Sequence, residues 1–250
     1  MSGSAFDDRV DVYEALIDWP KRLAHEEPFY RALFERVGVR SVLDTACGTG
    51  QHAAMFHSWG CRVEGADVSP AMIARCKARY GESETLHWVV RAFDQPVSSP
   101  EPFDAAICVG NSLALAAELA EVERAVREVL AAVRPDGVCV LQVLNLWHLP
   151  DGPCVWQKCK RAVLDGRDHV IVKGVHRVGT RGFVDLVDLT LGDGTATSRC
   201  DSPTFLGLEA GHLTDVARRF GARQVDCFGG FPSEPYIREQ SQDLIVVIRI

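Results

Sequence analysis

Two aspartates and two glycines are the residues of this chain best suited to chemistry. In VLDTACGTGQHA, residues 42–53, Asp44 closes an apolar run and Gly48 and Gly50 follow it. Glycines there let the backbone turn sharply and let a ligand approach without side-chain interference. Such a turn also suits the pyrophosphate of a dinucleotide, and Ala53 fits either use. Asp44 separates the alternatives, because a carboxylate ahead of the turn opposes phosphate and favours a ligand carrying positive charge. Asp67 ends the next β-prone run, CRVEGAD, where a carboxylate can accept hydrogen bonds from both hydroxyls of a ribose. That position serves NAD equally well, so Asp67 indicates an adenosine-type ligand without choosing the cofactor.

Positioning these groups takes alternating strands and helices, and the hydrophobic pattern supplies them. Residues 1–40 read as helical, with Phe29, Leu33, Phe34 and Val37 at helical spacing and Gly38 as the stop. Buried parallel strands are predicted at 41–46, 61–67, 86–92, 103–110 and 138–144. Ser69 is placed as the N-cap of a helix over 69–81, with Pro70 at its first position. A helix over 118–134 carries Leu119, Val122, Val126, Val129, Leu130 and Val133 as one stripe. Residues 150–205 change character: Asp-Gly pairs punctuate β-prone runs, which predicts an antiparallel insertion of about four strands. A helix near 209–220 and strands near 223–228 and 243–250 complete the pattern, and the sum is α/β with a doubly wound, mostly parallel sheet.

Composition narrows the partners. The 250 residues carry 27 lysines and arginines against 34 acidic residues, a formal charge of −7. Nucleic acid is thereby disfavoured as a partner, since phosphate neutralisation needs a basic surface. No run approaches the roughly 20 apolar residues that span a bilayer, and the N-terminus lacks the pattern of an export signal. Nine scattered cysteines without a C-x-x-C read as reduced, mostly buried thiols of a cytoplasmic protein, with no ligand cluster for zinc.

The motifs D-x-x-C-G-T-G at 44–50, GADVSPAMI at 65–73 and FDAAICVGNSL at 103–113 resemble class I S-adenosylmethionine-dependent methyltransferases, and within them the glycine N-methyltransferase and glycine/sarcosine methyltransferase branch with its bacterial relatives. The resemblance implies a Rossmann-like seven-stranded sheet formed by 41–149 and 206–250, an N-terminal helical cap over 1–40, and an insertion over 150–205 that covers the substrate or makes a dimer contact. It implies S-adenosylmethionine as cofactor, S-adenosylhomocysteine as product and a small-molecule acceptor, with no metal. Asp44, Ala46, Gly48 and Gly50 would line the methionine end, Asp67 and Val68 the ribose, and Met72 the adenine. Phe93 and Asp94 share the position that meets the adenine amino group, and Val109 would flank the ligand. Tyr13 and Arg22 match an aromatic and an arginine that close over the donor, where the guanidinium pairs with the methionine carboxylate.

For the acceptor, the resemblance points to Asn111; Asn145, Trp147 and His148 follow the fifth predicted strand and are expected to line the same pocket, with His148 as candidate base. The glycine-methylating enzymes hold the substrate carboxylate with an arginine where Leu144 stands here, and Leu115 replaces a histidine they often show. Glycine and sarcosine are disfavoured by that loss unless Arg177 or Arg181 reaches inward, and a more hydrophobic acceptor is expected. Trp156, Phe183 and Phe205 are the apolar candidates within the insertion. The reading is methyl transfer to nitrogen or oxygen of a small molecule. An NAD(P)-dependent oxidoreductase and a non-catalytic S-adenosylmethionine-binding module stay open as alternatives, as does homo-oligomerisation.

Overall fold

A computed structural model describes residues 9–192, 194–231 and 234–250. Helices α1 (Val10–Leu16) and α2 (Trp19–Val37) precede a repeat of β1 (Ser41–Asp44), α3 (Gln51–Ser58), β2 (Arg62–Asp67), α4 (Pro70–Tyr80), β3 (Leu86–Val90), β4 (Phe103–Cys108), α5 (Leu119–Ala131) and β5 (Val133–Leu144). The insertion holds β6 (Val155–Leu164), β7 (Arg167–Val178), β8 (Arg181–Gly192), β9 (Thr195–Asp201) and β10 (Thr204–Leu206). The chain closes with α6 (Ala210–Arg219), β11 (Gln224–Phe228) and β12 (Asp243–Arg249).

Seven strands form one sheet in the order β11-β12-β5-β4-β1-β2-β3. Pairing is parallel from β5 through β3, while β12 runs antiparallel to both β5 and β11. Successive strand side chains point to opposite faces, so a strand buried on both sides must be apolar throughout. Val42 packs with α2, α3 and α4 on one face, and Leu43 packs with α5 and α6 on the other. The expected caps form: Ser69 Oγ accepts from the Met72 N–H at 3.2 Å, and Gly38 ends α2 with φ of 70°. Leu119 departs from its predicted stripe and lies exposed at the start of α5, and Val133 already belongs to β5.

The insertion is an antiparallel sheet, as expected, with five strands where the sequence predicts about four. Asp165-Gly166 makes the β6–β7 hairpin, but the β7–β8 turn is Gly179-Thr180, and Asp151-Gly152 joins no two strands. Helix α1 does not pack on the parallel sheet. Its Val12 and Leu16 pack on Ile171 and Leu186 of the insertion, and Arg9 pairs with Asp188 and Asp201. The thiols are free, yet Cys159 and Cys200 are exposed instead of buried. Folding also gathers Cys154, His176 and Asp185 within 4.8 Å, a cluster drawn from three segments that no sequence spacing announces. Its members already satisfy one another, with His176 Nδ1 at 2.7 Å and the Cys154 thiol at 3.4 Å from the same Asp185 oxygen. Among the described residues, no helix is long and apolar enough to cross a membrane.

Candidate active site

The carboxyl ends of β1 and β2 hold the predicted aspartates side by side with the glycine turn. Gly48 and Gly50 adopt φ of 52° and 82°, values that disfavour any side chain. The Gly48 N–H donates to Asp67 Oδ2 at 2.8 Å, and the Ser69 N–H donates to Asp67 Oδ1 at 2.9 Å. Both contacts come from the backbone and fix the Asp67 carboxylate at the end of β2, beside the glycine turn. A Cβ on Gly50 would lie 2.7 Å from the Trp88 ring, whose own N–H is held by the Gly81 carbonyl. Gly50→Ala is therefore expected to destabilise the fold by about 2–4 kcal/mol through left-handed strain and overpacking. Denaturant unfolding that shows no loss would contradict this account of the turn.

Asp44 is 1% exposed, and neither of its oxygens accepts a hydrogen bond of ordinary geometry from the protein. Burial raises its pKa to about 7; the Ala46 amide and Arg22 lower it, and Asp67 raises it further. An uncompensated buried carboxylate is costly, so its presence marks a place where a cationic group belongs. The ammonium of a methionine moiety fits that requirement and a pyrophosphate does not. The buried Thr49 hydroxyl also has no partner in the protein. From above, α1 brings Tyr13 within 3.7 Å of where a Gly48 Cβ would stand. Burial pushes the Tyr13 phenol up to about 12, against the pull of Arg22, so it is neutral at physiological pH.

Arg22 is fixed by its own helix. Its Nε donates to Glu26 Oε1 at 2.7 Å, and His52 Nε2 lies 2.6 Å from the other Glu26 oxygen. Burial pushes Glu26 up, but His52 and Arg22 outweigh it and hold the carboxyl below its ordinary range. The Arg22 nitrogens approach to 3.9 Å from where a Gly110 Cβ would be, beside the turn that follows β4. The structure thus places Tyr13, Arg22, Asp44, Ala46, Gly48, Gly50, Asp67, Met72 and Val109 around the strand ends, with Met72 and Val109 buried. Val68 is 55% exposed, Asp94 lies 3.4 Å from Arg124, and Phe93 packs against the core under α5.

Beyond Gly110 opens a cavity of about 600 Å³, whose walls include Arg22, Asn111, Gln142, Leu144, Lys173 and Asp243. Asn111 has φ of 69° and accepts the Leu144 N–H on Oδ1 at 2.9 Å, which leaves its amide nitrogen as a donor. Gln142 accepts the Gly110 N–H at 2.7 Å and donates to Asp243 Oδ1 at 2.7 Å. Asp243 reaches this edge because β12 is antiparallel: its first residue lies opposite Leu144, the last of β5. Burial raises the Asp243 carboxyl, while Gln142 and Arg22 lower it.

Three expectations about the acceptor side need correction. Asn145 is fully buried and saturated, its amide nitrogen donating to the Arg238 and Ser241 carbonyls and its oxygen accepting from the Trp147 N–H and Tyr236 hydroxyl. A short 3-10 turn carries Trp147 and His148 away from the cavity wall. Trp147 stacks under Arg238 at 4.2 Å, and His148 Nδ1 is held by the Asn145 carbonyl; neither is among the residues that line the cavity. The cavity is also polar rather than hydrophobic. Leu144 lines it but Leu115 does not, and Arg177 is bound to Asp151 and to the Leu149 and Gly179 carbonyls. Arg181, Trp156, Phe183 and Phe205 also lie off the wall; the insertion contributes Gln157, Lys173, Val175 and Val184. Asp243 had a legible signal, as the polar residue opening a closing strand that runs against its neighbours. Gln142 and Lys173 had none, since nothing in their own segments distinguishes them.

Residues 42–137 match the family model described as "Methyltransferase domain". The chain is 32% identical over 168 residues to a glycine/sarcosine N-methyltransferase of Parasynechococcus marenigrum, covering 65% of this chain and 58% of that protein. It therefore spans less than two thirds of that relative's length. Against the glycine N-methyltransferase of Mus musculus it is 30% identical over 232 residues, covering 85% of this chain and 77% of the other. Among solved structures, a sugar N-methyltransferase from Streptoalloteichus superposes with a TM-score of 0.76 at 23% identity, covering 100% of this chain and 94% of that one. An amino pentose methyltransferase from Micromonospora echinaspora, solved with S-adenosylmethionine bound, gives 0.74 at 21% identity with 100% of both chains covered. At those identities the likeness to the two structures is one of fold.

Proposed function

Since the chain belongs to the class I S-adenosylmethionine-dependent methyltransferases, in their glycine N-methyltransferase branch, we propose that it methylates the nitrogen of a small, polar amine larger than glycine. The observation that carries this reading is the buried Asp44 carboxylate without a hydrogen-bond partner, flanked by Asp67 and the glycine turn. Asp44 would face the donor's ammonium, Arg22 its carboxylate and Asp67 its ribose, with Tyr13 closing over the turn. When bound, S-adenosylmethionine supplies a methyl group on a positively charged sulfur, and the N–C bond forms as the C–S bond breaks.

What the protein adds is orientation and exclusion of water. An amine enters as ammonium at neutral pH and must give up a proton before its lone pair can attack. Asp243, with one oxygen on Gln142, offers the carboxylate that holds that ammonium at the cavity wall. The Asn111 amide nitrogen donates, so it suits an oxygen of the acceptor rather than the attacking lone pair. A polar cavity of about 600 Å³ without the family's carboxylate-binding arginine supports an acceptor bulkier than glycine, of the kind the amino pentose methyltransferase takes. Incubating the protein with S-adenosylmethionine and matched panels of amines and phenols, read by mass spectrometry, is expected to give methylation on nitrogen alone. Transfer confined to hydroxyl groups would overturn the reading.

A further inference from the structure

The acceptor cavity has a cation on its insertion wall that no described residue pairs with. Lys173 lies on β7 between Ile171 and Val175, both buried, and pairs across the ladder with buried Leu186. Alternate residues share a strand face, so the lysine is committed to the inward side and lines the cavity. Among the described residues it makes no ion pair and no hydrogen bond. Burial lowers its pKa, and the charges acting on it, Lys158 and Arg22, are themselves cationic. Those two are already engaged: Lys158 donates to the Leu16 carbonyl at 2.8 Å and Arg22 to Glu26. Of the acids on the cavity wall, Glu26 is engaged by Arg22 and His52 and Asp243 by Gln142, while Glu234 is exposed and is not among the charges acting on Lys173. A half-buried, unpaired ammonium among like charges is unfavourable unless something anionic joins it.

We propose that the insertion gives the cavity an anion-binding subsite, with Lys173 as its contact and Arg22 and Lys158 as flanking charges, so that the acceptor is an amine that also bears a carboxylate or a phosphate. This rests on the amine-methylating reading and adds its substrate class. The cation comes from a strand of the insertion instead of the lost position at Leu144, which sets the acidic group apart from the sheet edge and calls for a longer acceptor than an α-amino acid.

The test is calorimetry on protein loaded with S-adenosylhomocysteine, using glucosamine, glucosamine 6-phosphate and glucosaminuronic acid as probes. Wild type is expected to bind at least one acidic sugar about 10-fold or more tighter than glucosamine, and the tighter of the two identifies phosphate or carboxylate as the source. Lys173→Met should erase that preference with glucosamine unchanged, and Lys173→Arg should keep most of it. S-adenosylhomocysteine affinity, measured separately, should stay within about 2-fold in all three proteins, the scale expected without a direct contact. Equal or absent binding of all three sugars overturns the subsite. A loss of S-adenosylhomocysteine affinity in Lys173→Met also overturns it, because the lysine would then serve the donor carboxylate. Failure of the wild type to bind S-adenosylhomocysteine would instead sink the methyltransfer reading.

Discussion

Asp44→Asn is expected to weaken S-adenosylhomocysteine binding by about a hundredfold or more while leaving the ligand-free protein as stable as wild type, or more so, at pH 8. Both effects follow from one fact: a carboxylate buried without a partner is a liability until a cation arrives. Its pKa rises from 3.8 to about 7 on folding, so the folded state holds a proton that the unfolded state has already released between those values. Stability associated with Asp44 is therefore complete below about pH 4, declines as pH rises and reaches its full loss above about pH 7. The upper bound on that loss is on the order of 4 kcal/mol, at 1.36 kcal/mol per pKa unit. Thermal melts of both proteins without ligand, from pH 4 to 8, should show the asparagine variant gaining on wild type as pH increases. A gap that ignores pH, or unimpaired ligand binding, would remove Asp44 from its assigned role.

Arg22→Met is expected to cost about 30- to 100-fold in S-adenosylhomocysteine affinity, equivalent to about 2–3 kcal/mol for a lost charged hydrogen-bonded partner. The guanidinium is held by Glu26, which His52 holds in turn, so Arg22 waits in position without paying to be ordered. The discriminating ligand is methylthioadenosine, which lacks the methionine tail. Its affinity should hardly change in the variant, since Arg22 is assigned only to the carboxylate. Equal weakening of both ligands would mean that the substitution merely disturbed the helix, where Glu26 would be left half-paired. Arg22→Lys should recover part of the affinity, because a point charge replaces the fork.

The glycine turn and its flanking carboxylates were legible because their determinants are local. Asp44, Gly48 and Gly50 fall within seven consecutive residues, and a strand followed by a glycine turn and a helix places them without help from distant chain. Ser69 and Pro70 capped their helix as read, and the hydrophobic period supplied the alternating order of the sheet. The acceptor side was not local. Asn145, Trp147 and His148 follow β5 directly, yet a single 3-10 turn and four hydrogen bonds to Asn145 removed all three from the cavity.

By itself the amino-acid sequence determined the α/β order, the glycine turn and the two carboxylates that flank it. Tertiary structure alone decided which side chains face the cavity beyond Gly110. Asp243 reaches it through antiparallel pairing of the last strand, Lys173 through the inward face of an inserted sheet, and Arg22 through the packing of an N-terminal helix. The physical reason is range. Turn geometry is set by a few neighbouring dihedrals, whereas a cavity wall is set by strand register and by the faces that distant hydrophobic residues force inward.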